Sequence, residues 1–280
     1  MSLACLPWYD FEELRAAHDA FWSALARALE RRGFENVPRR LVHEVDHDGV
    51  LLRDDLLVSQ TCGYVLANEG AGWIQSVATP RYGAPGCVGS DYASFIVVRD
   101  ALNAESARDL RGLRAVANEP LSHSGMNALR EFVMPAAGGA RFFGEVQWSG
   151  GHVCSLQALQ RDAADCAAID CVAWELVRRH RPALLDGLRV LATTPSAPAP
   201  PFVTGRRTTA DCLTRLREAL CEVTADDDLR EVRDALLLRG FDTRPVSDYD
   251  AMRGATERAE AAGLLEFSGE PTVFGRPKLL

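Results

Sequence analysis

The chain has 280 residues, 47% hydrophobic and 25% charged, which is the balance of an ordinary globular protein with room for one large or two medium domains. Its formal charge of -8 argues against nucleic acid as a partner, because gripping a phosphate backbone takes a basic face. No run approaches the roughly eighteen consecutive apolar residues of a membrane span, and the Arg pairs at 31–32, 39–40, 178–179 and 206–207 are scattered among acids, as on a solvated surface.

A short strand is expected at 3–7. Asp10 then opens a long amphipathic stretch over 11–32, with Leu14, Ala17, Phe21, Ala24, Leu25 and Leu29 on one face and Gly33 as its stop. Segments 40–45 and 56–59 read as strands, and 73–78 as another after a helical segment. The Gly/Pro cluster from Thr79 to Ser90 reads as a hinge. Beyond it the rhythm restarts with strands at 93–98, 114–117, 143–148 and 167–169. They alternate with helices at 124–134, 151–161 and 172–180, and a strand follows at 188–193. The proline-rich segment at 194–201 cannot continue a sheet interior, and the rest, from Thr209 on, reads as two or three amphipathic helices and a frayed tail. The expectation is therefore an α/β protein of two Rossmann-like lobes with a central ligand cleft and a hinge. One lobe is discontinuous, 1–84 plus 189–280; the other, 85–188, is inserted.

Ligand sites in such sheets lie where strand carboxyl ends lead into helix starts. Polar clusters fall at those places: Gln60, Thr61 and Tyr64; Ser90 to Tyr92; Ser122, His123 and Ser124; Ser149 to His152; and Asp170. The Ser122-His123-Ser124-Gly125 turn carries the sharpest chemistry. A helix begins with amides that have no partner inside it, its dipole is positive there, and two hydroxyls add donors, so the turn suits an oxyanion. The plainer alternative is that one serine simply caps the helix. His152 follows Gly150-Gly151 and suits either a cap or an anionic oxygen. Trp8 and Tyr9, after the first strand, wall a cleft or pack at a lobe edge. The eight cysteines contain no CxxC and no spacing to a His pair, so no metal or cofactor is expected; a bridge between Cys62 and Cys87 is the one disulfide considered.

Together, Ser-x-Ser-Gly, Gly-Gly-His and Tyr92-Ala-Ser-Phe-Ile-Val-Val-Arg99 resemble the substrate-binding proteins of phosphate, phosphite and phosphonate ABC transporters, a branch of the type II periplasmic binding protein fold. The resemblance covers about residues 3–195. It implies a solute-binding protein, not an enzyme, that closes on a small oxyanion such as a phosphonate or phosphate ester. Tyr64, Tyr92 and His152 would supply donors, while Ser122, His123 and Ser124 present the helix start. Gln60, Thr61 and Tyr9 are further candidates, and Asp170 would meet a ligand amine. His123 stands where a small hydroxyl residue is common in the family. The implied partners are the anion and an ABC permease, with a monomeric chain and periplasmic residence. No basic segment followed by an apolar run and a cleavage site opens the sequence, which leaves a cytoplasmic protein open. Two alternatives share the scaffold: an enzyme of the pyrimidine or thiamin-precursor type using His152 with Cys154 or Cys171, and a cytosolic ligand sensor.

Overall fold

The computed structural model describes residues 2–68, 72–139 and 141–264. The chain divides into two compact units: residues 1–91 with 197–250, and residues 92–196 with what is described of 251–280. The helix near the end of the described chain therefore travels with the second unit, whereas the sequence reading had grouped all of 189–280 with the first lobe. The tail expected after it lies outside the described residues.

In the first unit, β1 (Leu3–Ala4) leads to α1 (Arg15–Arg31), whose buried face carries Phe21, Trp22, Leu25 and Leu29 at helical spacing. Gly33, at φ +78°, ends the stretch in a left-handed turn that costs glycine little. Next come α2 (His47–Leu51), β2 (Leu56–Gln60), α3 (Gly63–Ala67) and β3 (Ile74–Tyr82), and β4 (Asp91–Tyr92) carries the chain from the first unit into the second. The segment 40–45 is not a strand. Only Val42 N–H reaches β1, donating to the Ala4 carbonyl at 2.9 Å, and Glu44 turns the backbone to φ +56°.

The Gly/Pro segment expected as a hinge from Thr79 to Ser90 is strand at its start. β3 runs on through Pro80 to Tyr82, because β12 (Leu238–Asp242) pairs with it over 79–82, with a bulge between Leu238 and Gly240 opposite Arg81 and Tyr82.

The second unit holds β5 (Ser94–Arg99), β6 (Arg114–Ala117), α4 (Ala128–Ala137), β7 (Glu145–Trp148), α5 (His152–Gln160), β8 (Cys166–Asp170), α6 (Cys171–His180) and β9 (Leu188–Thr193). The chain then passes β10 (Ala197–Pro198) and returns to the first unit with β11 (Phe202–Gly205), α7 (Ala210–Ala225), α8 (Arg230–Ala235) and β12 (Leu238–Asp242). Finally α9 (Ala255–Ala261) joins the second unit, where Ala259 and Leu264 sit in the same core as Leu129, Val133, Phe142, Phe143 and Trp148.

The first sheet has the order β1-β2-β11-β3-β12. β1 runs parallel to β2, and β11 is antiparallel to both β2 and β3, so β1, β2 and β3 all point their carboxyl ends to one edge. The second sheet has the order β7-β6-β8-β5-β9, with β6 parallel to both β7 and β8. From β6 the chain crosses to β7 on one side, then jumps back over β6 to β8 on the other. That reversal makes the carboxyl end of β6 a topological switch point, where helices diverge and leave a crevice.

At the opposite edge Asp165 locks the register. Its carboxylate accepts from the Arg114 backbone N–H at 2.9 Å, from the Arg114 guanidinium at 2.8 and 3.0 Å, and from Arg99 at 2.6 Å. The Arg114 hydrogen bonds hold the Asp165 carboxyl far below the usual carboxylate range, against the cost of burial. A depressed carboxyl stabilises the fold above its unfolded value near 3.9 and loses that contribution as pH falls through the folded value. Asp165→Asn is expected to destabilise the second unit by about 3 kcal/mol at neutral pH, since it removes the buried carboxylate that Arg99 and Arg114 share and leaves them only the exposed Asp162. Urea titrations at descending pH should show the gap between wild type and variant closing in strong acid.

Candidate functional site

β6 delivers the chain to Asn118 and then to a single π-helical turn, His123–Asn127, before α4 begins. Asn127 N–H donates to the Ser122 carbonyl at 3.2 Å, the five-residue spacing that defines this wider turn. Ser122 is its cap: its Oγ accepts from Gly125 N–H at 3.1 Å. The hydroxyl hydrogen is not consumed by that role, and the amides of His123 and Ser124 are the other donors a helix start offers.

Gly125 is needed for space. A Cβ placed there would stand 1.7 Å from Asn118 Oδ1 and 2.6 Å from Asn118 Cγ. Its φ is not the issue; the crowding is between the turn and the strand end that precedes it.

The loop after β7 is stitched to the loop after β6. Ser149 N–H donates to the Ala117 carbonyl at 2.9 Å and Gly150 N–H to the Asn118 carbonyl at 2.8 Å, which carries the parallel ladder past the end of β7. Gly150 then turns at φ +83°, a conformation that favours glycine. Ser149 Oγ donates to the Gly151 carbonyl at 2.9 Å and lies 2.7 Å from Ser155 Oγ, which fixes the start of α5. Gly151, the N-cap, has no side chain to offer the first amides of that helix. The result is that His152 Nε2 lies 3.0 Å from Ser124 Oγ. Residues from two separate strand–helix junctions thus meet at the switch point.

Both imidazoles there are held neutral. Burial pushes His152 down to about 4, with the Ala168 backbone pulling the other way. Burial also pushes His123 to about 4, and Arg258 adds to the effect. Arg258 itself is engaged with Glu131 at 3.1 Å.

The third junction of this edge is already occupied. Asp170 Oδ1 accepts from Val172 N–H at 2.7 Å and Ala173 N–H at 3.2 Å, capping α6 with its own negative charge. Asp170 is 1% exposed.

Two candidates of the first unit, Gln60 and Tyr9, meet at a residue that the sequence reading passed over, Tyr82. Gln60 Nε2 donates to Tyr82 Oη at 2.9 Å and to the Pro200 carbonyl at 2.9 Å. Tyr9 packs edge-on against Tyr82, with ring centroids 5.3 Å apart, and itself stands at φ +61° with His18 Nε2 3.3 Å from its carbonyl oxygen. Thr61 is buried, its N–H donating to the Pro201 carbonyl, and Tyr64 lies in α3 directly after it. Tyr92, buried, begins the second unit. Trp8 stacks on His47. The signal for Tyr82 was present, a tyrosine at the end of an apolar run, but Pro80 and Gly83 beside it read as loop. All eight cysteines are thiols, so Cys62 and Cys87 are not bridged. Among the described residues no group of three or more His, Cys, Asp or Glu is placed to hold a metal ion, and no helix is long and apolar enough to cross a membrane.

Mixed sheets with helix starts at the carboxyl edge of parallel strands, in two units built from a chain that leaves and re-enters, define a type II periplasmic binding fold. The chain belongs to the family described as ABC transporter, phosphonate, periplasmic substrate-binding protein, whose model matches residues 3–249. PhnD1 from Prochlorococcus marinus in complex with methylphosphonate is similar in fold, with a TM-score of 0.74 at 15% identity, over 92% of this chain and 98% of that one. A binding protein component of an ABC phosphonate transporter from Pseudomonas aeruginosa gives 0.69 at 15% identity, over 93% and 87%. A Xanthomonas citri protein bound to chloride ion gives 0.70 at 14% identity, over 93% and 98%. At such identities these likenesses speak for the fold alone. No curated protein sequence matches the chain.

Gly125→Ala is expected to destabilise the second unit by about 1–3 kcal/mol, the ordinary cost of overpacking. Asn118→Ala in the same chain should recover part of that loss, so a double-mutant cycle by urea denaturation should return a favourable coupling term.

Proposed function

We propose that this solute-binding protein takes a small tetrahedral oxyanion, a phosphonate or phosphate ester, at the Ser122–Gly125 turn, and delivers it unchanged to an ABC permease from the periplasm. The observation that carries the reading is the Ser124–His152 hydrogen bond, which brings a hydroxyl and an imidazole from different junctions to a helix start. Helix-start amides and hydroxyls bind an anion as fixed dipoles, without a bidentate arginine, and so hold it against a net charge of -8. The proposed ligand set keeps Tyr64 and Tyr92 as hydroxyl donors and Gln60, Thr61 and Tyr9 as further candidates.

Asp170 has a defined part in this reading. Its charge at the start of α6 repels a second anionic group but suits an ammonium, so an aminoalkyl phosphonate fits better than a dicarboxylate. Catalysis has no part in it: Cys171 is fully buried at the start of α6, and the ligand is expected to be recovered intact.

Isothermal titration against alkyl phosphonates, phosphate esters and sulfonates tests the assignment; no binding across the panel would overturn it. Ser124→Ala is expected to weaken phosphonate binding by about 1.5–3 kcal/mol, the worth of one charge-assisted hydrogen bond. Tyr64→Phe and Tyr92→Phe read each phenol in the same titration. Asp170→Asn keeps a capping side chain and removes the charge, so it should weaken 2-aminoethylphosphonate and leave methylphosphonate nearly unchanged. Equal losses for both ligands would remove the amine role.

A further inference from the structure

We infer that capture of the oxyanion draws a proton onto His152, so that the ligand is bound more tightly as pH falls. This rests on the assignment of the anion to the Ser122–Gly125 turn, and it follows from counting hydrogens there.

Ser124 Oγ owns one hydrogen, and so does a neutral imidazole. Oγ and His152 Nε2 stand 3.0 Å apart, so one of the two must donate to the other. His152 Nδ1 is buried without a hydrogen bond of normal geometry, and the Ala168 backbone favours the protonated ring. If the ring hydrogen sits on Nδ1, Nε2 takes the serine hydrogen, and Ser124 turns its lone pairs toward an incoming anion. If the hydrogen sits on Nε2, Ser124 is released to donate, but Nδ1 becomes a buried lone pair with no donor. Neither neutral tautomer serves both ends.

The imidazolium serves all of them. Nδ1 keeps its hydrogen, so no bare lone pair is buried there, Nε2–H donates to Ser124 Oγ, and the serine hydrogen goes to the anion. The positive ring and the negative ligand then sit on either side of one hydroxyl, out of bulk water, where their attraction is strong. Because linkage is reciprocal, an anion that binds the charged form better raises the affinity of His152 for its proton by the same factor.

The surroundings supply no competing charge. On β8, Asp165 before its start is paired with Arg99 of β5 and Arg114 of β6, and Asp170 at its end caps α6. Cys166 is buried, its thiol held protonated by that burial. On α6, Glu175 is tied to Arg178 and Arg179; Cys171 and His180 lie at its two ends. Arg181 and Asp186 flank the turn that follows, and Cys154 and Arg161 belong to α5 or its end. None of these contributes to the shift at His152, which comes from burial and the Ala168 backbone. His123, the other imidazole, is itself held neutral.

The sign is fixed. His152 in the unliganded protein titrates at about 4, and the anion raises that value. The extra affinity is fully present below about 4 and is lost as pH rises through the value in the complex, at up to tenfold per pH unit.

The decisive experiment titrates the protein with methylphosphonate in buffers of low and high ionisation enthalpy, alongside His152→Gln. Wild type should take up a fraction of a proton more than the variant. The ring nitrogens of His152 in ¹⁵N-histidine-labelled protein, assigned by their loss in the variant, should move together to imidazolium positions when ligand is added near pH 6. This second measurement needs no folded variant in the complex. Equal proton uptake, or a ring that stays neutral in the saturated complex, overturns the inference while leaving the binding assignment standing. Failure of methylphosphonate and the rest of the oxyanion panel to bind wild type overturns both.

Discussion

Two backbone hydrogen bonds hold the candidate site together. Ser149 N–H to the Ala117 carbonyl and Gly150 N–H to the Asn118 carbonyl carry the ladder between β6 and β7 beyond the sheet edge. Every other relation at that edge follows from them. With the two loops zipped, α5 begins beside the π-helical turn, and His152 has nowhere to go but across from Ser124. The zipper in turn depends on register, which the Asp165 carboxylate sets at the opposite edge by binding both the backbone and the side chain of Arg114. A charge buried at one end of three strands and the Ser124–His152 hydrogen bond at the other are thus parts of one alignment.

The electrostatic design is one of dipoles. Three helices start at the carboxyl edge of the second sheet, and the protein treats them differently. α6 is closed by its own carboxylate; α5 has a glycine cap with no side chain to spend; the turn before α4 has its serine cap aimed at Gly125. A carboxylate thus sits at the start of α6, while the starts of α5 and of the turn before α4 carry none. Both imidazoles are held uncharged, which avoids the cost of burying cations.

The chain's alternation and its motifs showed much of this. The amphipathic stretch with Leu14, Phe21, Leu25 and Leu29 became α1, and the strands and helices of the second unit fell near their expected places, because each carries its own periodicity and its own stop. What escaped was non-local. β11 is four residues, buried throughout and preceded by prolines, so it shows neither alternation nor length. β12 carries Gly240 at φ +152° and a bulge, and only its pairing with β3 makes it a strand. Segment 40–45 has strand-like residues but forms no ladder, joining β1 through the backbone bond from Val42 to Ala4. The site divided in the same way. The strand-end positions of the candidates Ser122, Ser124, His152 and Asp170 could be read from the pattern. The crowding of Asn118 against Gly125, and the seat of Gln60 on Tyr82, depend on packing that a linear pattern does not encode.

That crowding also constrains how the turn can change over generations. With Asn118 Oδ1 lying where any Cβ on residue 125 would have to be, the glycine cannot be replaced first without penalty. A bulkier residue there calls for the Asn118 side chain to move or shorten, so the two positions are coupled. Any change of this turn at residue 125 thus runs through the strand end that precedes it.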